Sequence, residues 1–391
     1  MVDLSNSSTM STPAMEISRI PMAPADANAT ESKNTTDVLD LWRLKKEIPA
    51  PFVWPQQDTH PSSTTKELDV PVVDVGSALR DAAGMRHAAS QVASACASHG
   101  FFQVTGHGVD PALARAALDG AADFFRLPLA TKQRARRVPG TVIGYASAHV
   151  DRFAAKLPWK ETLSFGHHHH HHDGAGGGNS HLVEDYFTSN LGGSFKHLGE
   201  VYQKYCEAME EVSLAIMEVL GVSLGLGRGY YRDFFADGSS IMRCNYYPPC
   251  PEPERTLGTG PHCDPTALTI LLQDGAVDGL QVLVDGAWRS VRPKPGELVV
   301  NIGDTFMVRL RMSALDLLGT RRRCRVASSP GRAVPLVRAL DVAGVVPTGR
   351  KERSGAILCS SRSRTPFSAI FGKHTHRRFC FSEPAPSLSP T

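Results

Sequence analysis

Asn245-Tyr-Tyr-Pro-Pro-Cys-Pro-Glu-Pro-Glu-Arg-Thr-Leu-Gly-Thr-Gly-Pro-His-Cys-Asp-Pro-Thr-Ala-Leu-Thr-Ile-Leu-Leu-Gln-Asp274 is the stretch on which the reading of this chain turns. Gly258, Gly260 and Pro261 mark a turn. His262-Cys263-Asp264 then lead into an apolar run, Ala267 to Gln273, that reads as a strand. On an extended backbone, residues i and i+2 point the same way. The imidazole and the carboxylate therefore share one side, and Cys263 takes the other. One histidine and one carboxylate so placed are two of the three donors of the facial triad that holds non-haem Fe(II). The opposite face of that triad stays open for co-substrate and oxygen. Alone, a His-x-Asp is more often a solvated loop, so the flanking sequence has to decide.

Outward from this stretch, Ser240 to Tyr247, Leu280 to Val284 and Glu297 to Ile302 are short, β-rich and separated by Gly, Pro and Asp. Closely spaced strands with turn signals predict a sandwich or jelly roll. Upstream the periodicity is helical. Residues 195–222 carry Leu198, Val201, Tyr202, Tyr205, Met209, Val212 and Ile216 at helical spacing. Arg86 to Ser98 reads as an Ala-rich helix, and Pro111 opens another that runs to about Phe125. Phe101 to Thr105 and the run from Leu68 read as strands, and Val38 to Lys46 as a short helix. Pro49, Pro51 and Pro55 around Phe52 and Trp54 read as an extended packing arm. The expected class is α+β, a jelly-roll core on a helical N-terminal part. The expected division is 1–38 disordered, 39–235 mainly helical, 236–307 the core, and 308–391 a disordered basic tail.

The flanking motifs settle the His-x-Asp. The quoted stretch resembles the signature of plant 2-oxoglutarate/Fe(II)-dependent dioxygenases, in particular the gibberellin 20-oxidases. Leu157-Pro-Trp-Lys-Glu-Thr-Leu-Ser-Phe165 resembles a segment of that subfamily associated with gibberellin binding, and argues against a flavonoid-type dioxygenase. Gly279 to Trp288 and Asn301-Ile-Gly-Asp-Thr-Phe-Met307 continue the likeness, which runs from about Ile48 to Met307. The resemblance implies that His262 and Asp264 ligate iron. It implies that Tyr247 helps hold 2-oxoglutarate and that Asn245 lines the same pocket. Trp159 would pack on an apolar diterpenoid, and Lys160 would meet a substrate carboxylate. Cofactors and co-substrates would be Fe(II), 2-oxoglutarate, O2 and ascorbate. The reaction would oxidise carbon-20 of C20 gibberellin precursors while 2-oxoglutarate yields succinate and CO2.

The likeness stops at Met307. The family has a second histidine after its His-x-Asp, and an Arg-x-Ser beyond it whose arginine fork grips the far carboxylate of 2-oxoglutarate. Here no histidine lies between Asp264 and His374, and neither His374 nor His376 is followed by Arg-x-Ser. Arg311-Met312-Ser313 has that form but comes too early. Charge breaks at the same place. Residues 308–391 hold 16 Lys and Arg against 4 Asp and Glu, while the rest of the chain holds 26 against 35. The expectation is a jelly roll lacking its closing strands and an iron site lacking a ligand, hence an inactive or non-catalytic product. Read-through of an unspliced intron at Val308 would produce such a break, and transcripts joining Met307 to a family-like exon would reveal it.

Composition removes other classes. No apolar run is long enough to span a bilayer, and no basic-then-apolar leader opens the sequence. The eight cysteines include no C-x-x-C pair, which fits reduced thiols in the cytoplasm. The basic tail lacks interleaved aromatics before Phe367, so nucleic-acid binding is not expected. A monomer acting on a small molecule is. His167 to His172 and the glycines after them read as a low-complexity surface loop.

Overall fold

Local side-chain chemistry starts the helices, at Pro111 as the sequence predicts and at Ala82, four residues before the predicted Arg86. Asp110 accepts a hydrogen bond from the Ala112 amide at 2.9 Å, with Pro111 in the first helical position. Asp81 does the same for the Gly84 amide at 2.7 Å. The computed structural model describes residues 39–44, 46–56, 58–59, 66–150, 156–168, 181–235, 238–275, 279–304, 306, 326–328 and 336–346. Residues 34–137 and 143–352 make one compact unit, and of a second unit only Val138–Val142 is described. All that follows concerns the first unit. The expected disorder of 1–38 lies outside the described residues.

Strand β1 (Val72–Asp74) leads into helices α1 (Val75–Arg80) and α2 (Ala82–Ser98). After β2 (Phe101–Thr105) come α3 (Pro111–Arg126) and the short α4 (Leu129–Lys132), then β3 (Gly144–Ser147) and β4 (Glu161–His168). Helices α5 (Leu182–Leu191), α6 (Lys196–Ser223) and α7 (Gly229–Phe235) follow. The rest is β: β5 (Ser239–Tyr247), β6 (Thr259–His262), β7 (Leu268–Gln273), β8 (Leu280–Val284), β9 (Ala287–Val291), β10 (Leu298–Ile302), β11 (Val326–Ser328) and β12 (Leu336–Val346). Among the described residues these strands form two sheets. One runs β1-β2-β10-β7-β12-β5-β4-β3, the other β6-β11-β8-β9.

The period-2 alternation of the strands decides what each face meets. Ile270 and Val300 join the helical core with Tyr202, Met209 and Ile216 of α6. Their neighbours Leu271 and Val299 instead pack with Leu280, Val282 and Val291 of the smaller sheet. The large sheet thus carries helices on one face and the small sheet on the other, the two-sheet arrangement of a jelly roll. Tyr202 ties α6 to α3 by donating its hydroxyl to the Ala117 carbonyl at 2.8 Å.

Three expectations need correction. First, the core is not left open after Met307. β11 lies between β6 and β8, and β12 between β5 and β7, so the segment expected to lack order supplies a strand to each sheet. Its Arg and Pro content masked an apolar run, Leu336–Val346, that suffices for an interior strand. Second, the histidine run is not all surface loop. His167 and His168 extend β4 against β5, and His167 is buried with Nε2 3.1 Å from Glu210 Oε2. The remainder of the run lies outside the described residues. Third, no α-helix forms among the described residues of Val38 to Lys46. They make a single 3-10 turn, Leu41–Arg43, capped by Asp40.

Strand β4 begins on a buried ion pair. Lys132 Nζ lies 2.6 Å from Glu161 Oε2, with side-chain exposures of 2% and 1%. Tyr145 donates its hydroxyl to the same oxygen at 2.8 Å, and Lys132 also donates to the Phe125 carbonyl at 3.0 Å. Burial raises the Glu161 pKa above the usual carboxylate range, and the Lys132 charge pulls it back down. A carboxylate stripped of that partner would be stranded in the core. Lys132→Met is therefore expected to cost about 3–5 kcal/mol of stability, read as a lowered denaturant midpoint.

Candidate active site

His262 ends β6, and Asp264 follows two residues later. Their side chains turn toward each other, with Nε2 and Oδ1 3.6 Å apart. The ring is oriented from behind, its Nδ1 lying 2.9 Å from the Gly260 carbonyl. A carbonyl can only accept, so Nδ1 carries a proton, which leaves Nε2, on the Asp264 side, as the ring nitrogen that could bind a metal. That is the tautomer a metal-binding histidine needs.

The carboxylate is held by a second stretch, Asn301-Ile-Gly-Asp304. Asn301 Nδ2 donates to Asp264 Oδ2 at 3.3 Å, leaving Oδ1 on the His262 side. The Asp304 amide donates to the Asp264 carbonyl at 2.8 Å. Gly303 permits this closeness, since a Cβ there would sit 1.9 Å from the Thr266 carbonyl. Sequence reasoning took this stretch only as family likeness and missed its support of the acid. The signal was the Asn-x-Gly-Asp pattern itself. Removing an outer partner of a metal ligand costs about tenfold or more in metal affinity. Asn301→Ala is expected to do so with little change in melting temperature, as a metal titration with parallel melts would show.

Tyr247 and Asn245 end β5 on one face, buried to 5% and 3% exposure. The Tyr247 hydroxyl lies 3.3 Å from Thr259 Oγ1, which bridges the large sheet to the strand that carries His262. Asn245 Oδ1 lies 3.5 Å from Lys160 Nζ, the long limit of a hydrogen bond. Lys160 is thus a buried cation at this wall rather than a surface lysine. Arg137, missed in the sequence, adds a second one. It donates to Thr162 Oγ1 at 3.1 Å, and Thr162 sits opposite Asn245 in the β4–β5 register. Trp159, next to Lys160, plays a different part. It is fully enclosed, edge-on to Phe52 at 5.1 Å, and donates its indole N–H to the Pro248 carbonyl at 3.1 Å. That gives it a packing role and no open face for a substrate.

Among the described residues the donor set fits two coordination positions of an Fe(II) ion. One imidazole and one carboxylate converge with their outer partners in place. Among the described residues no group of three metal-ligating side chains forms. On β11 the position paired with His262 is held by Val326, which has no donor atom. Three thiols, Cys96, Cys206 and Cys250, are poor substitutes. Burial pushes Cys96 and Cys250 up to about 12, and Cys206 well above its ordinary value, so they stay protonated. Among the described residues Cys96, Cys206, Cys244, Cys250 and Cys263 form no disulfide.

Comparison with known proteins identifies the family. Residues 70–182 match the family described as non-haem dioxygenase in morphine synthesis N-terminal. Residues 238–313 match the 2OG-Fe(II) oxygenase superfamily. The second match ends within a few residues of Met307, where the family-like motifs stop. Gibberellin 20 oxidase 2 of Oryza sativa subsp. indica is 66% identical over 289 residues, covering 73% of this chain and 72% of that protein. Gibberellin 20 oxidase 1 of Arabidopsis thaliana is 52% identical over 267 residues, covering 68% and 69%. Among solved structures, JOX2 in complex with 2OG, Fe and JA superposes with a TM-score of 0.62 at 28% identity, over 80% of this chain and 84% of that one. The rice dioxygenase for auxin oxidation gives 0.56 at 27% identity, over 72% and 84%. By sequence and fold together, the chain belongs to the gibberellin 20-oxidases of the 2OG-Fe(II) oxygenase superfamily.

Proposed function

We propose that the described site is built to oxidise carbon-20 of a C20 gibberellin precursor, and that this chain does so feebly because the described residues give its metal site a single histidine. The observation that carries both halves is the oriented His262–Asp264 pair with Val326 paired to His262. In this family Fe(II), 2-oxoglutarate and O2 supply the oxidising power. The chain's own residues bind and orient. His262 offers Nε2, with its tautomer fixed by Gly260, and Asp264 offers Oδ1, with its other oxygen held by Asn301. Tyr247 and Asn245 line the 2-oxoglutarate side. Lys160 and Arg137 place positive charge behind Asn245, where an anionic diterpenoid or co-substrate carboxylate gains most from it. Among the described residues no helix is long and apolar enough to cross a membrane. We take the chain to work as a cytoplasmic monomer on a small molecule, a reading that rests on composition and free thiols.

Turnover tests this. The chain would be incubated with Fe(II), ascorbate, 2-oxoglutarate and a C20 gibberellin, alongside a chimera carrying a relative's C-terminal segment after Met307. The expected result is succinate and oxidised gibberellin from the chimera, with at least about a hundredfold less from the chain itself, as loss of a metal ligand implies. Equal turnover would refute the account of residues 308–391. No gibberellin oxidation by either would refute the substrate.

A further inference from the structure

The N-terminal arm reaches the metal site from outside the jelly roll. Trp54 is tied down at two points. Its amide donates to the Arg255 carbonyl at 2.9 Å, and its indole Nε1 donates to the Leu157 carbonyl at 3.1 Å. The Leu157 amide in turn donates to the Pro51 carbonyl at 2.7 Å, and Lys156 Nζ lies 5.9 Å from the centre of the indole ring. The far edge of this pinned ring faces Gly260. A Cβ built on Gly260 would lie 2.3 Å from Trp54 Cη2 and 2.9 Å from Cζ3. A rigid ring held at both ends cannot swing away as a flexible chain would, so only glycine fits. Gly260 is also the residue whose carbonyl takes the Nδ1–H of His262. It sits in β6, a four-residue strand at the edge of the small sheet, paired with a neighbour on one side only. An edge strand this short needs an outside restraint to hold a ligand in place.

We propose that Trp54 is a positioning residue for His262: its indole braces the Gly260 backbone, and the Gly260 carbonyl sets the ring orientation that aims Nε2 at Asp264. The proposal rests on the reading of His262 as a metal ligand. Nothing in the immediate sequence of the His-x-Asp points to it, since 206 positions separate the two residues that touch.

The test is a thermodynamic cycle on the full chain, with Mn(II) as the probe and water-proton relaxation as the readout, a method that reaches weak affinities. Gly260→Ala drives a methyl into the indole and is expected to weaken Mn(II) binding at least about tenfold, the scale of a lost outer partner. Trp54→Phe, whose shorter ring falls short of Gly260 and lacks the N–H given to Leu157, is expected to weaken it several-fold while lowering the melting temperature only slightly. In the Trp54→Phe background, Gly260→Ala is expected to cost less than about twofold, because the methyl then has room. His262→Ala is the control. Binding that survives His262→Ala would refute the metal-site reading itself. Binding that needs His262 but ignores Trp54→Phe would refute the brace alone. So would a Gly260→Ala penalty of equal size in both backgrounds. Should Gly260→Ala fail to fold, Trp54→Phe decides the matter by the same criterion.

Discussion

A chain ending at Met307 is expected to lose cooperative folding, whereas one ending at Arg350 keeps it. The reason is the place of β12. It pairs with β5 over eight registered positions from Leu336–Tyr247 to Val346–Ser239, and with β7 over five from Ala339–Gln273 to Ala343–Thr269. Without it, β5 and β7 face each other across an empty strand position in the middle of the large sheet. Their backbone N–H and C=O groups would lose partners in a buried setting, each at a cost of about 1–3 kcal/mol. A few such losses exceed the whole stability of a typical domain, about 5–15 kcal/mol. Met242, Cys244, Ile270 and Leu271, now fully or nearly buried, would also lose their cover. Circular dichroism melts and limited proteolysis would read the outcome. A chain ending at Met307 that melts as sharply as the full chain would show that β12 carries no part of the core.

The second large effect concerns Val326. In an antiparallel pair, residues in register share a face of the sheet and stand close enough for their side chains to meet. Val326 is registered with His262 on β11 and with Val282 on β8. Its backbone register with His262 makes it the position on β11 at which a third donor is best tried. Val326→His is expected to tighten divalent-metal binding by at least about tenfold, because a full facial set replaces a pair. It is also expected to raise turnover above that of the parent chain. A metal titration on the parent and the variant would measure this. Unchanged affinity would mean that β11 does not bring Val326 to the metal.

Much of the core was legible because its strands are apolar runs with clear punctuation. β2 and β8 fall where Phe101–Thr105 and Leu280–Val284 predict, and β5, β7 and β10 within a residue of expectation. β6 was not legible, since Thr259-Gly-Pro-His262 carries the two residues that strands avoid, tolerated here at a sheet edge. β4 was hidden at both ends. It opens on Glu161, acceptable in a core only because Lys132 meets it, and closes on histidines that imitate a flexible loop. Helix α5, Leu182–Leu191, went unread after the same low-complexity run. At the site, His262 and Asp264 could be read because their geometry is local. Their supports could not. Asn301 reaches Asp264 across 37 positions, and Trp54 comes from an arm that only the fold brings to Gly260. Val326 was the hardest case, for nothing about a valine in a basic segment announces that it pairs with His262.

The central claim is a metal site with one histidine, His262, in place of two. Iron K-edge X-ray absorption on the Fe(II)-loaded chain counts imidazole ligands directly. The account predicts one imidazole per iron in this chain, none after His262→Ala and two after Val326→His. Two imidazoles in the unsubstituted chain would contradict it, and would make His374 and His376 the next residues to replace.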